Sequence, residues 1–433
     1  MNFNISSLEI LNPKLKSSKK GGQTDSALYS YYAGFSEEFT TSLLTQLTED
    51  KSFTIFDTWN GSGTTTFSAY KLGCNAIGND LNPVMLIVAK ARLINNLDLC
   101  SLEAVCQTIF YNTFKNKSQT FIEHDPLCNW FSKDSVSLLR KLESTINKNF
   151  ICFDNYSPLF ESNSINQLST IGAFIYVILF KTIRTLLSSF IPSNPTWVKK
   201  PKLESDKIIV SKYEVQETFF KILHNTIENH AFSESHPINT KLELHLNSST
   251  KLQQDNNSVD IILTSPPYCT RIDYAIATSI ELAIIRVNDI RPLRDNLIGT
   301  STIKKERISK EAVWGKTCNS FLERVSNHSS VASSTYYYKN HLQYFHDLYL
   351  SISEISRILK PNGLFIPIVQ NSFYKEINNN LPQVITEMAE QFGLKLLRED
   401  LFPTKNTMSS INTKSNKYIA KKQTSESVLI FTN

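Results

Sequence analysis

No pair of the seven cysteines, at positions 74, 100, 106, 128, 152, 269 and 318, has CxxC spacing, and the count is odd. That excludes a disulfide framework and a zinc ribbon, and suits a reducing cytoplasm. Metal-ligand spacing is absent elsewhere too: in HDPLCNWFS (124–132) His124 and Cys128 stand without further ligands, so no metal is expected. A membrane-length apolar run is also missing. The most hydrophobic stretch, residues 171–191, is interrupted by Lys181 and Arg184, short of the roughly 18 uncharged residues a span needs. A buried core helix is expected there, and no membrane association. The N-terminal MNFNISSLEILNPKLKSSKK lacks an apolar core followed by a small-residue cleavage site, so no secretory signal is expected. Charge of one sign is not in excess either: 45 Lys+Arg against 40 Asp+Glu leave +5, which is compatible with nucleic acid but does not argue for it. There are no internal repeats.

What is present is a long chain, 433 residues with 41% hydrophobic content, enough for a catalytic domain plus a substantial insertion. Residues 1–27, rich in Lys, Ser and Gly, read as a flexible N-terminal arm. Residues 28–97 then run helix (Phe39, Leu43, Leu44 and Leu47 at helical spacing), strand (53–57), glycine turn, helix (67–72), strand (75–78) and helix (83–97). That order is the first half of a Rossmann-type unit. The next strand is delayed. Residues 98–240 read as a mainly helical insertion, and the sheet resumes in 241–286 with strands at 242–246 and 258–264. A second, loop-like insertion is expected at 287–335. Residues 336–433 supply a long helix to 360 stopped by Pro361-Asn-Gly363, a strand (364–369), a helix (381–392) and a terminal strand (427–431).

Two motifs carry chemistry. Asp57-Thr-Trp-Asn-Gly-Ser-Gly-Thr64 follows a buried strand; its glycines let backbone approach a ligand, and the helix behind offers free N–H groups. Asp80 closes the next strand 17 residues after Gly63, where an acid takes the ribose hydroxyls of an adenosine cofactor. The loop lacks a third glycine, which points away from a dinucleotide. The second motif, Thr264-Ser-Pro-Pro-Tyr268, follows the strand VDIIL. Two prolines stiffen the loop and remove its N–H donors, leaving carbonyls to accept from an amino group. Tyr268 offers a flat face to a base.

Together these residues resemble the amino-directed DNA methyltransferases of bacterial modification systems, across nearly the whole catalytic core. The resemblance implies an α/β fold, a Rossmann-like S-adenosylmethionine-dependent methyltransferase core with a large mainly helical insertion. It implies S-adenosylmethionine as cofactor, with Asp57, Asn60, Gly61, Gly63 and Thr64 around its methionine end, Asp80 at its ribose, and Asn82 with Pro83 completing an NDLNP string. Tyr32-Ala-Gly-Phe35 is similar to the family's upstream motif and adds Phe35 beside the cofactor. Ser265, Pro266, Pro267 and Tyr268 are the implied catalytic residues, and the serine form is commoner in cytosine-N4 enzymes. One departure stands out: the third motif usually ends its strand in an acid, and here Asn247-Ser248-Ser249 follows.

A cytosine amino nitrogen is a poor nucleophile because its lone pair is delocalised. Hydrogen bonds to Ser265 and the Pro266 carbonyl would favour a tetrahedral nitrogen, so positioning and electrostatics suffice. No Pro-Cys dipeptide occurs, so Cys269 is expected to be packing rather than a nucleophile. Double-stranded DNA with the target base flipped out is the expected substrate. Residues 98–240, with Trp197, Lys199, Lys200 and Lys202, are the leading candidate for contacting it, and 287–335 the second; Arg271 is a further DNA-binding candidate. A cognate restriction endonuclease or other defence-system subunits are candidate partners. Three other readings stay open: an adenine-N6 enzyme, an RNA amino-methyltransferase, and a catalytically inactive DNA-binding subunit.

Overall fold

The computed structural model describes residues 3–14, 28–29, 34–49, 52–115, 124–152, 155–192, 197–229, 240–269, 272–404 and 424–433. Much of the N-terminal arm, Tyr32, Ala33 and Arg271 lie outside them.

The centre is a seven-stranded sheet in the order β3-β2-β1-β4-β5-β9-β8. The strands are β1 (Thr54–Asp57), β2 (Asn75–Asp80), β3 (Leu242–Leu246), β4 (Val259–Thr264), β5 (Leu359–Gln370), β8 (Lys395–Thr404) and β9 (Thr424–Thr432); β6 (Ser372–Tyr374) and β7 (Ile377–Asn379) form a separate hairpin. β1 pairs in parallel with β2 and β4, β2 with β3, and β4 with β5. β9 runs antiparallel to both β5 and β8. Every residue of β4 is buried, which is why VDIILT reads as an apolar run rather than an alternation: a parallel sheet is covered on both faces. This is an α/β, Rossmann-like core, with the strand order reversing at β1 and β4, where such sheets bind ligands.

Three helices build the first half. α1 (Glu37–Leu47) is capped by Ser36, whose side chain accepts from Phe39 N. α2 (Thr64–Lys71) starts at Gly63, which has φ +81°. α3 (Pro83–Ala91) has proline in its first turn and an Asn82 cap. The expected single helix 83–97 is therefore shorter: a new turn, Asn96–Leu99, starts from a capping box between Asn95 and Asp98.

The 98–240 segment contributes the helices Leu102–Lys115, Lys133–Phe150, Thr170–Leu186 and Lys212–Asn229. The apolar 171–191 stretch forms the buried helix Thr170–Leu186, packed in one core with α3. No helix among the described residues is long and apolar enough to cross a membrane. Arg140, fully buried, locks the segment to the catalytic half: it pairs with Asp125 at 2.6 Å and donates to the carbonyls of Ala283 (2.6 Å) and Ile284 (2.5 Å). A charge so buried is tolerated because every donor has an acceptor.

Three expectations need correction. Residues 287–335 are not simply a loop. Trp314, Cys318, Phe321, Leu322 and Val325 are buried in the second core, the last four on the helix Lys316–Ser326. Their helical spacing is hidden among polar neighbours. The long helix ends at Ile358, and β5 begins at Leu359 with a register shift between Val259 and Ile261 of β4. Residues 3–14 are pinned rather than loose: Arg398 donates to the carbonyls of Ile5 and Leu8, Glu9 exchanges two hydrogen bonds with Gln46, and Leu8 is buried.

Candidate active site

The C-terminal ends of β1, β2, β3 and β4 open into one cavity of about 460 Å³. Phe35, Asp57, Asn60, Gly61, Thr64, Asp80 and Asn82 line it, and so do Ser265, Pro266, Pro267 and Tyr268. The two motifs, two hundred residues apart in the chain, thus share one space because β1 and β4 are neighbours.

The two acids are held differently. Asp57 Oδ1 accepts from Trp59 N at 3.1 Å and from the Thr264 hydroxyl at 2.5 Å. Asp80 takes Gly61 N on one oxygen and Asn82 N on the other, both at 2.8 Å, and so fixes the glycine loop to the end of β2. Burial pushes both carboxyls up to about 6; the Asp80 charge adds to the rise at Asp57, while hydrogen bonds from Thr264, Thr65 and Trp59 restrain it. Two buried acids beside one cavity favour a ligand that brings positive charge.

The loop between β1 and α2 supplies the complementary groups. Thr58 Oγ1, Trp59 Nε1 and Asn60 Nδ2 are buried and have no hydrogen-bond partner among the described residues. Buried polar atoms of this kind call for a ligand or water. Where a dinucleotide loop has its third glycine stands Thr66, whose hydroxyl donates to Asn60 Oδ1 at 2.9 Å. The set fits an amino-acid-bearing adenosine: Asp80 for ribose hydroxyls, Asp57 for an ammonium, and unpaired donors for a carboxylate.

Other assignments shift. Gly63 does not line the cavity. A Cβ there would sit 2.7 Å from Ala89 Cβ, so this glycine permits the close packing of α2 against α3. Asn82 lines the cavity, but its side chain is engaged in capping Val84 N (3.1 Å) and donating to Thr278 (2.9 Å). In the second motif, the Pro267 carbonyl is not free: it accepts from the Tyr344 hydroxyl at 2.9 Å. Asn247, Ser248 and Ser249 do line the cavity, and the Asn247 amide donates to Lys251 O at 2.7 Å across the turn. Cys269 is buried, 3.3 Å from His341 Nδ1. Trp197, Lys199 and Lys200 are exposed and outside the cavity; Lys199 N donates to Phe190 O (2.9 Å), next to the lining residue Ile191.

Sequence reasoning missed Lys181 and Arg184, which reach the cavity from the helix Thr170–Leu186. Arg184 forms an ion pair with Glu281, whose side chain is fully buried. Two cations three residues apart on an otherwise apolar helix were the available signal. Among the described residues no cluster of His, Cys, Asp and Glu could hold a metal.

The sequence aligns with the type II methyltransferase M.MvaI of Kocuria varians at 23% identity, over 81% of this chain and 77% of that protein. Its relatives are type II methyltransferases. M.BsoBI of Geobacillus stearothermophilus is 25% identical over 65% of this chain and 57% of its own length. No model of a known protein family matches the sequence. Among solved structures, the rRNA methyltransferase aviRa of Streptomyces viridochromogenes superposes with a TM-score of 0.29 and 9% identity, covering 94% of this chain and 90% of that one, too loosely to add to the topology. Taken with the acids and unpaired donors, the methyltransferase relatives identify the cofactor as S-adenosylmethionine.

Proposed function

We propose that this chain is a site-specific DNA methyltransferase that methylates the exocyclic N4 amino group of cytosine. One observation carries the reading: Ser265-Pro266-Pro267-Tyr268 lines the same cavity as Asp57 and Asp80, so a base amino group and an adenosine cofactor can meet. The relatives support DNA as the substrate, and the serine form of the motif supports cytosine.

S-adenosylmethionine supplies a methyl group on a sulfonium. The chain's own residues do the positioning. Asp80 holds the ribose and Asp57 the ammonium. Ser265 and the Pro266 carbonyl accept from the amino hydrogens and favour a tetrahedral nitrogen with its lone pair exposed. The prolines bring no N–H to compete, and the Thr264–Asp57 bond fixes the loop's first residue against the cofactor side. Tyr268 stacks on the extruded base, offsetting part of the few kcal/mol that flipping costs. Residues 98–240, with Trp197, Lys199 and Lys200 exposed, contact the duplex, and Arg271 follows the catalytic loop in sequence. The setting is a bacterial cytoplasm, in modification or phage defence, alongside a cognate endonuclease or defence-system subunits.

The test is mass spectrometry of nucleosides from unmethylated DNA treated with the protein and methyl-labelled cofactor, beside a Tyr268→Ala control. Label in N4-methylcytosine that disappears in the control is the expected result. Label in N6-methyladenine would overturn the target atom, and unlabelled DNA the activity.

A further inference from the structure

Two polar side chains meet beyond the Tyr268 hydroxyl, outside the cofactor cavity. Lys14 Nζ lies 3.2 Å from that hydroxyl, 3.1 Å from the Gly34 carbonyl and 3.6 Å from Glu426 Oε1. It is 5.9 Å from the centre of the Tyr268 ring. With the hydroxyl only 3.2 Å away, the ammonium continues the line of the phenol beyond its oxygen. The ammonium lies off the ring face, so this is not a cation–π contact.

Glu426 sits near the start of β9, paired with Gln370 at the end of β5, on the side of β4 away from the cofactor acids. Its side chain is 2% exposed, against 36% for Lys14. Burial raises its carboxyl above the ordinary range and Lys14 opposes the rise. The ion pair, at 3.6 Å, is longer than a hydrogen bond, and Glu426 Oε2 is buried with no partner among the described residues. Such a group is costly unless something else completes it. Lys14 is brought here deliberately: Ser36 N holds the Pro13 carbonyl at 2.8 Å.

We propose that Lys14 and Glu426 form the base-reading end of the target pocket. With the base on Tyr268 and its amino group at Ser265 and Pro266, the one Lys14 N–H not given to the Gly34 carbonyl or the Tyr268 hydroxyl donates, bifurcated, to the acceptor edge of cytosine, N3 and O2. Glu426 keeps the ammonium charged and in place. Cytosine carries two acceptors in line after its amino group, whereas adenine carries one and then a C–H, so a cation here favours cytosine. This assignment rests on the function proposed above.

The test compares wild type with Lys14→Met, Lys14→Arg and Glu426→Gln on unmethylated plasmid DNA with labelled S-adenosylmethionine, reading N4-methylcytosine at several salt concentrations. Lys14→Met is expected to lower kcat/KM about ten- to a hundredfold, the worth of one charge-assisted hydrogen bond. Cofactor Kd should not change, nor the salt dependence of DNA binding, while Tm should fall because Glu426 is left buried without its cation. Lys14→Arg should restore most of the loss, and Glu426→Gln should fall in the same direction. A Lys14→Met enzyme within about twofold of wild type would overturn the assignment. So would a salt slope reduced by about one, which marks a phosphate contact, or a parallel loss of cofactor affinity, which marks a merely structural role. If wild type itself leaves the DNA unlabelled, the proposed function fails and takes this assignment with it.

Discussion

The Thr264 hydroxyl lies 2.5 Å from Asp57 Oδ1, the same oxygen that accepts Trp59 N. The last residue of β4 is thereby tied to the last residue of β1, and both donors crowd onto one carboxylate oxygen. The second oxygen receives neither of these bonds. The contact joins the cofactor half of the site to the target half.

Asp57→Asn should therefore separate stability from function. An asparagine oxygen can keep both bonds, while the buried charge disappears. Because the folded-state pKa of Asp57 is raised to about 6, the ionised group opposes folding above that pH, and its contribution becomes less favourable as pH rises from about 4 to 6. The variant is expected to be more stable than wild type at pH 7.5 by ~1–3 kcal/mol, with no advantage at pH 4, and to bind S-adenosylmethionine at least tenfold more weakly. Thermal unfolding at the two pH values and calorimetry check this.

Cofactor affinity should fall as pH drops through about 6, where Asp57 and Asp80 both protonate. Each carboxylate that must be ionised costs roughly tenfold at one pH unit below its pKa, so two required acids give up to about a hundredfold weakening at pH 5. Calorimetric titrations from pH 5 to 8 should show a plateau above 7. A flat profile would mean that neither acid holds the ligand as a carboxylate.

Two glycines should fail in different ways. Gly63→Ala meets Ala89 Cβ at 2.7 Å and must keep φ +81°; a loss of ~1–3 kcal/mol of stability is expected. Gly78→Ala meets the Asn60 side chain at 2.6 Å, so its main effect should be on cofactor binding, by tenfold or more. Melting temperatures and cofactor Kd values for both variants give the comparison.

Removing Arg184 leaves Glu281 buried without its cation. Arg184→Met is expected to cost ~3–5 kcal/mol, and the double variant Arg184→Met/Glu281→Gln much less, because the uncompensated charge is then gone as well. Denaturation of Arg184→Met, Glu281→Gln and the double variant measures the coupling.

The local elements around the site were legible in sequence because each carries its own signal. Strand β1 followed by GSG, strand β2 closed by Asp80, and β4 running into SPPY need no distant partner to be recognised. β8 was missed: RED interrupts its apolar residues, and it is held by pairing with β9 rather than by its own pattern. The helix Lys316–Ser326 was missed because its apolar face alternates with polar residues that dominate the composition. Gly78, Thr66 and Arg184 carry no motif at all, and their parts follow from what lies across the space from them.

Sequence alone thus determined the order of strands, turns and helices in the cofactor half, the two acids at strand ends and the rigid proline loop, since these depend on residues adjacent in the chain. Only the tertiary structure decided that β1 and β4 lie side by side, that Gly63 packs a helix, and that Lys14 reaches Tyr268 254 residues away. Such relationships are fixed by sheet pairing and close packing between remote segments, and no local pattern encodes them.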